Sequence, residues 1–217
     1  VTTDIFKPRG RPRTFDVDQA VGIAQRLFHT CGYDAVGIAA ITHALGINPP
    51  SFYAAFGSKA GLYARILERY GGTGAIPLET LLLPDRPVAA CLKAVLDEAA
   101  RRYGADPEAA GCLVLEGIHT KDAQALCAAR RAHAVAEDAI HSYIAARYPD
   151  EAEYLTDFVS ATMTGLSAQS RNGHNVERLL ATARLAGLAL EQALPDRRQS
   201  RRDSCDVQHP ARTETGG

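Results

Sequence analysis

Three glycines constrain this chain more than any other feature. Gly32, Gly46 and Gly57 each close a run of apolar residues at helical spacing, so residues 16–70 are cut into helices of unequal length. No window alternates apolar and polar residues as a strand would, and alanine and leucine dominate throughout. The chain therefore reads as all-α.

Asp16 caps the first helix, and Gln19 three residues on completes a capping box. Its apolar positions are Ala20, Val21, Ala24, Leu27, Phe28 and Cys31, and Gly32 stops it. Gly22 inside it costs about 1 kcal/mol against alanine unless close packing needs the small residue. A short helix follows from Ile38 to Leu45, with Ile38, Ile41 and Leu45 on one face. After the turn Leu45-Gly46-Ile47, Asn48 caps a third helix with Pro49 at its first position, where a missing N–H costs nothing. Phe52, Ala55 and Phe56 face inward; Ser51, Tyr53 and Ala54 face outward. Ser58 caps a fourth helix with the stripe Leu62, Tyr63, Ile66, Leu67 and Tyr70. Two short helices across a glycine turn make a helix-turn-helix pattern.

Charge separates this front from the rest. The net charge is -1, but residues 1–65 hold seven Lys/Arg against four acids, a net of +3, and the remainder carries -4. Four of the seven lie in the arm Lys7-Pro8-Arg9-Gly10-Arg11-Pro12-Arg13. An extended arginine arm suits a narrow minor groove, where negative potential is enhanced. A basic front on an acidic body points to a nucleic-acid module attached to something else.

Beyond Gly71-Gly72-Thr73-Gly74, which reads as a seam because glycine continues a helix at a cost, helices are expected over 87–103, 107–118, 122–147, 151–171 and 175–194. Residues 195–217 are nearly devoid of apolar side chains and read as a disordered tail. The last helix is apolar over more than half its circumference, more than one intrachain neighbour covers. Gly165, Ala186, Gly187 and Ala189 would let helices approach closely, so 151–171 and 175–194 read as a homodimer interface, a four-helix isologous seam.

The segments GRPRTFD and LFHTCGYDAVGIAAITHALGINPPSFYAAFGSKAGLYARILERY resemble the DNA-binding domain of the TetR/AcrR transcriptional regulators. The likeness is dense over 9–70, where Gly46-Ile47, Ser51-Phe52-Tyr53 and Phe56-Gly57-Ser58-Lys59 sit at that family's spacing. Gly111-Cys112-Leu113 is similar to a GC-L motif of one subgroup, some members of which sense electrophiles, oxidants or metals. The resemblance implies an N-terminal three-helix helix-turn-helix domain, joined by a connecting helix to a helical-bundle ligand and dimerisation domain. The expected parts are a basic arm (1–15), a DNA-binding domain with connecting helix (16–70), a ligand and dimerisation domain (71–194) and the tail. It also implies a homodimer on palindromic double-stranded operator DNA. Asn48, Pro49, Pro50 and Ser51 would lie nearest the base edges, Tyr53 and Lys59 on phosphates, and Arg9, Arg11 and Arg13 in the arm. The chain departs from the pattern at Val36-Gly37, where hydroxyl residues usually cap the second helix. That cap and that phosphate contact are lost, or left to backbone N–H groups at Gly37.

For the body the expectation is an effector pocket among 87–103, 107–118 and 122–147. His133 lies one heptad from both Leu126 and Ile140 and so points to their apolar side. Cys112 and Leu115 on the neighbouring short helix complete the candidate ligand-binding set. His133 also reads as a structural hydrogen-bonding residue, and Cys112 as an inert small hydrophobe. His133, Glu137 and His141 at i, i+4 and i+8 are weighed as a metal trio, but no metal and no cofactor are expected.

Other classes fall away. There is no GxSxG, HExxH or P-loop motif, so no enzyme is expected. No apolar run approaches ~18 residues and no apolar stretch follows the N-terminal basic residues, so neither a membrane span nor a secretory signal is expected. Five cysteines (Cys31, Cys91, Cys112, Cys127, Cys205) without CxxC spacing point to a reducing, cytoplasmic setting. The leading expectation is a repressor released by a small effector. The alternatives are a DNA-binding protein without effector and a redox or electrophile sensor acting through Cys112.

Overall fold

The computed structural model describes residues 16–194, and the described residues are all-helical. Arg9, Arg11, Arg13 and the tail lie outside them. The order is α1 (Val17–Cys31), α2 (Ile38–Leu45), α3 (Pro49–Phe56), α4 (Lys59–Thr73), α5 (Leu78–Leu81), α6 (Val88–Gly104), a 3-10 turn (Pro107–Ala109), α7 (Leu113–Gly117), α8 (Ala123–Ala145), α9 (Ala152–Arg171) and α10 (Val176–Ala193).

The front helices close on aromatic rings. Phe28, Phe52 and Tyr63 are fully enclosed, and Tyr33 stacks on Phe28 at 5.5 Å while meeting Tyr63 edge-on at 4.9 Å. Asp16 Oδ1 caps α1 by accepting from Asp18 N and Gln19 N. Gly46 takes the left-handed conformation at φ 64°, the turn that lets α3 leave α2 at an angle. Cys31 is exposed rather than part of the inward stripe of α1. It sits on the last helical residue, and the core side of this turn is filled by Phe28, Gly32 and Tyr33 instead.

Behind α1–α3, α4 carries its aromatic stripe into the body and packs along α8. It continues through Gly71 and Gly72 to Thr73 instead of stopping at Tyr70. An established helix needs no new nucleus to add a turn, so two glycines do not end it. It ends at Gly74, where an added Cβ would run into the Tyr70 ring. The body is built from α6, α8, α9 and α10, with α6 wedged between α9 and α10.

The largest departure from expectation is at 107–118, which is not one helix. Pro107–Ala109 form a 3-10 turn, Gly111 has φ 80°, and α7 starts only at Leu113. A Cβ at Gly111 would lie 2.8 Å from Ser167 Oγ and 3.0 Å from Arg171 Cγ, so α9 presses directly on its backbone. Cys112 is consequently the residue that caps α7 rather than one inside a helix.

Candidate functional site

Two regions stand apart: the outer face of α2 and α3, and a cavity in the body. On α3, Phe52 and Phe56 are buried and anchor the helix, while Pro49, Pro50, Ser51 and Ala54 are exposed. Tyr53 is half exposed, at 50%. Asn48 Oδ1 accepts from Ser51 N at 2.9 Å, so its amide is engaged in capping. Gly37 begins α2 without a side-chain cap, leaving the first N–H groups of that eight-residue helix to solvent. Val36 is buried beneath them. Asn48, Pro49, Pro50, Ser51, Tyr53 and Gly37 thus all lie on the outer side of the front half.

Lys59 is less free than its place in the sequence suggests. Its ammonium stands 4.0 Å above the centre of the Tyr33 ring. Partial burial draws its pKa down, against the field of Asp34 and Asp122. Those carboxylates are themselves held. Tyr33 Oη donates to Asp122 Oδ2 at 2.9 Å and Thr120 Oγ1 to Asp34 Oδ1 at 2.6 Å. The Thr120 hydroxyl lowers the Asp34 pKa, and the backbone N–H of Ala125 does most to lower that of Asp122.

The cavity encloses about 120 Å³. Its walls are largely apolar, with Leu67, Ile76, Leu78, Leu115, Ile140 and Met163 among them. Cys112, Leu115 and His133 all line it. The wall is drawn from more of the chain than sequence reasoning assigned, since α4 supplies Leu67, Tyr70 and Gly71 and α9 supplies Ser160 and Met163. The aromatic stripe of α4 is a signal that could have found Tyr70. Nothing in the local pattern of α9 marks Ser160 or Met163.

Polar groups meet the cavity in two clusters. In one, Tyr70 Oη donates to Cys112 Sγ at 3.8 Å, and the Tyr103 phenol lines the cavity beside the same thiol. Burial, then the neighbouring thiol, pushes both phenols well above the usual tyrosine range. In the other, Glu137 Oε2 lies 3.2 Å from His133 Nδ1 and Glu137 Oε1 accepts from Ser160 Oγ at 2.6 Å. His141 is exposed and does not join them. Among the described residues no group of three His, Cys, Asp or Glu is placed to hold a metal ion.

On α9 and α10 an apolar face is left uncovered. Tyr154 is 55% exposed, Phe158 37%, Leu185 69% and Leu188 59%. Phe158, Gly165, Leu185 and Ala189 border one shallow groove. Gly187 does not face it. A Cβ there would meet Lys93 Cγ at 2.8 Å, so this glycine serves the intrachain contact of α10 with α6.

Residues 23–66 match the family model described as bacterial regulatory proteins, tetR family. The chain is 54% identical over 196 residues to the HTH-type transcriptional repressor BdcR of Escherichia coli (strain K12), covering 90% of this chain and 100% of that protein. It is 28% identical over 193 residues to the HTH-type transcriptional repressor ComR of the same organism, covering 84% of this chain and 92% of that one. Among solved structures, a cysteine mutant of the TetR family transcriptional regulator CifR, complexed with 26-base-pair double-strand operator DNA, superposes with a TM-score of 0.70 at 31% identity. That match covers 82% of this chain and 99% of the other. No described helix is long and apolar enough to cross a membrane.

Proposed function

Because this chain belongs to the TetR family of bacterial regulatory proteins, a family of regulators rather than enzymes, we propose that it is a repressor that binds a palindromic operator as a homodimer and is released by a small effector. The observation that carries the DNA half is the division of α3: Phe52 and Phe56 fix it in the core while Ser51, Tyr53 and the two prolines stay outside. With Pro49 and Pro50 lacking long polar side chains, base readout leans on Ser51, Asn48 and apolar contact with thymine methyls. The uncapped start of α2 at Gly37, Tyr53, Lys59 and the arm arginines Arg9, Arg11 and Arg13 serve phosphates and the minor groove.

The dimer joins α9 and α10 of two subunits. Support comes from the exposed Phe158, Leu185 and Leu188, a contiguous apolar face that a monomer would leave in water. The effector enters the cavity lined by Cys112, Leu115 and His133. An apolar chamber with few polar groups is the usual form of a small-molecule site, and it disfavours a regulator without effector.

Selection of bound duplexes from a random pool, followed by sedimentation and compound release, tests the reading. An inverted-repeat site held by two subunits, and freed by a small apolar compound, is the expected result. A protein that selects no duplex, or binds one as a monomer, overturns it.

A further inference from the structure

The end of α1 and the corner after it are held at two points by one stretch of the body. At the first, His29 Nε2 lies 3.2 Å from the Gly111 carbonyl. Arg171, at the end of α9, donates there to the carbonyls of His29 at 3.2 Å and Ala110 at 3.4 Å. At the second, Tyr33 donates to Asp122 and Thr120 to Asp34, and the Lys121 backbone N–H donates to Asp34 Oδ2 at 3.2 Å. Between these points lies α7, whose Val114 and Leu115 line the cavity together with its cap, Cys112. Residues 110–122 therefore form a bracket, with both ends on the front half and its middle on the cavity.

Each side of the clasp is anchored. Tyr33 is 5% exposed and its ring is packed against Phe28 and Tyr63. Asp122 caps α8, accepting from Gln124 N at 2.9 Å and Ala125 N at 3.1 Å. The Tyr33–Asp122 bond thus ties the α1–α2 corner to the first turn of α8. The halves also meet where α4 lies along α8 and touches α7, and at the His29–Gly111–Arg171 point. Those contacts lie along α4 and at the end of α1, and leave rotation of the α1–α2 corner about them open. The clasp, at the corner itself, removes that freedom.

We propose that the clasp of Tyr33 and Asp34 with Thr120 and Asp122 is a positioning element that sets the angle of the DNA-binding half on the body, and with it the half-site spacing the dimer accepts. This rests on the operator-binding dimer proposed above. Neither Tyr33 nor Thr120 belongs to the face offered to DNA or to the cavity wall. Their action is indirect: the clasp holds the front half, and α7 can move the clasp.

The test uses the full chain and the duplex it selects from a random pool. Spacers lengthened by one base pair shift the half-sites by about 3.4 Å and roughly 34°. Fluorescence anisotropy is then read for the parent and for a Tyr33→Phe, Thr120→Val double variant, which keeps both buried shapes but removes both hydroxyls. The parent should lose about tenfold or more in affinity on the longer spacer, and the variant about threefold or less. A loss of fold stability alone would weaken both duplexes equally. An unchanged ratio between spacers overturns the proposal. If the double variant does not fold, Asp34→Ala, which removes only an exposed side chain, is read in the same way. A parent that selects no duplex or is monomeric removes the operator-binding reading first, and is seen before any variant is made.

Discussion

The hydroxyl of Tyr70 donates to the sulfur of Cys112, joining the helix that leaves the DNA-binding half to the cap of α7 on the cavity wall. Tyr103 lines the same cavity beside this thiol. Cys112 is only 9% exposed, and such burial suits a noncovalent effector better than thiol chemistry. Cys112→Ser should leave release by reversible compounds within about threefold of the parent, the scale of one weak hydrogen bond. Loss of release with every active compound would transfer the switch to the thiol.

Filling the cavity should lock the DNA-bound state. Ala136 lines the wall, and a phenyl ring there would occupy much of the 120 Å³. Ala136→Phe should bind the selected duplex like the parent and resist release at concentrations that free the parent completely. Ready release of the variant would place the effector elsewhere.

An acidic residue in the groove of α9 and α10 should divide the dimer. Ala189 is exposed and borders Phe158 and Leu185. Ala189→Asp would bury an unpaired charge on association, at a cost of about 3–5 kcal/mol. Sedimentation should show monomers that keep their helical circular dichroism. An intact dimer would put the interface on another face.

Close packing at Gly117 makes a stability prediction. An added Cβ would run into the Tyr63 hydroxyl and lie 2.9 Å from Ala129 Cβ. Gly117→Ala gains helix propensity of about 1 kcal/mol, yet overpacking of this kind costs roughly 1–3 kcal/mol. The same change disturbs the bond from Tyr63 to the Leu113 carbonyl. Thermal melting should move downward. An upward shift would mean that α7 yields freely.

Alkali should unfold the protein cooperatively. Burial, reinforced by Cys91, pushes the Tyr143 phenol up to about 12, and burial pushes Tyr33, Tyr63, Tyr70 and Tyr103 higher than their usual range. A phenol whose folded pKa lies above its unfolded value favours folding fully below about pH 10. That contribution is lost as pH rises from there through 12 for Tyr143. Tyrosinate absorbance for these residues should therefore rise together with helix loss. Ionisation of all five with the helices intact would contradict their burial.

Truncation of residues 1–13 should weaken operator binding and flatten its salt dependence, by close to one unit of log–log slope for each phosphate no longer neutralised. Unchanged affinity and slope would make the arm a passive tail. Lys59→Ala should weaken all duplexes alike, whereas Ser51→Ala should alter sequence preference.

The local grammar of this chain is readable without coordinates. Asp16, Asn48 and Ser58 cap helices because a short polar side chain satisfies the first free N–H groups, and Gly46 turns because it tolerates positive φ at little cost. Phe52 and Phe56 face inward because helical spacing puts them on one side. These are interactions within a few residues, and sequence carries them directly. What lies between distant segments does not show. The helical pattern at 107–118 conceals the break at Gly111, which α9 enforces through Ser167 and Arg171 more than fifty residues on. Gly187 has the sequence character of a subunit seam, yet Lys93 lies beneath it. The meeting of Tyr33 with Asp122, and of Ser160 with Glu137, follows from how helices stack. Such pairings depend on the summed packing of the whole core, and no local pattern encodes which side chains it will bring together.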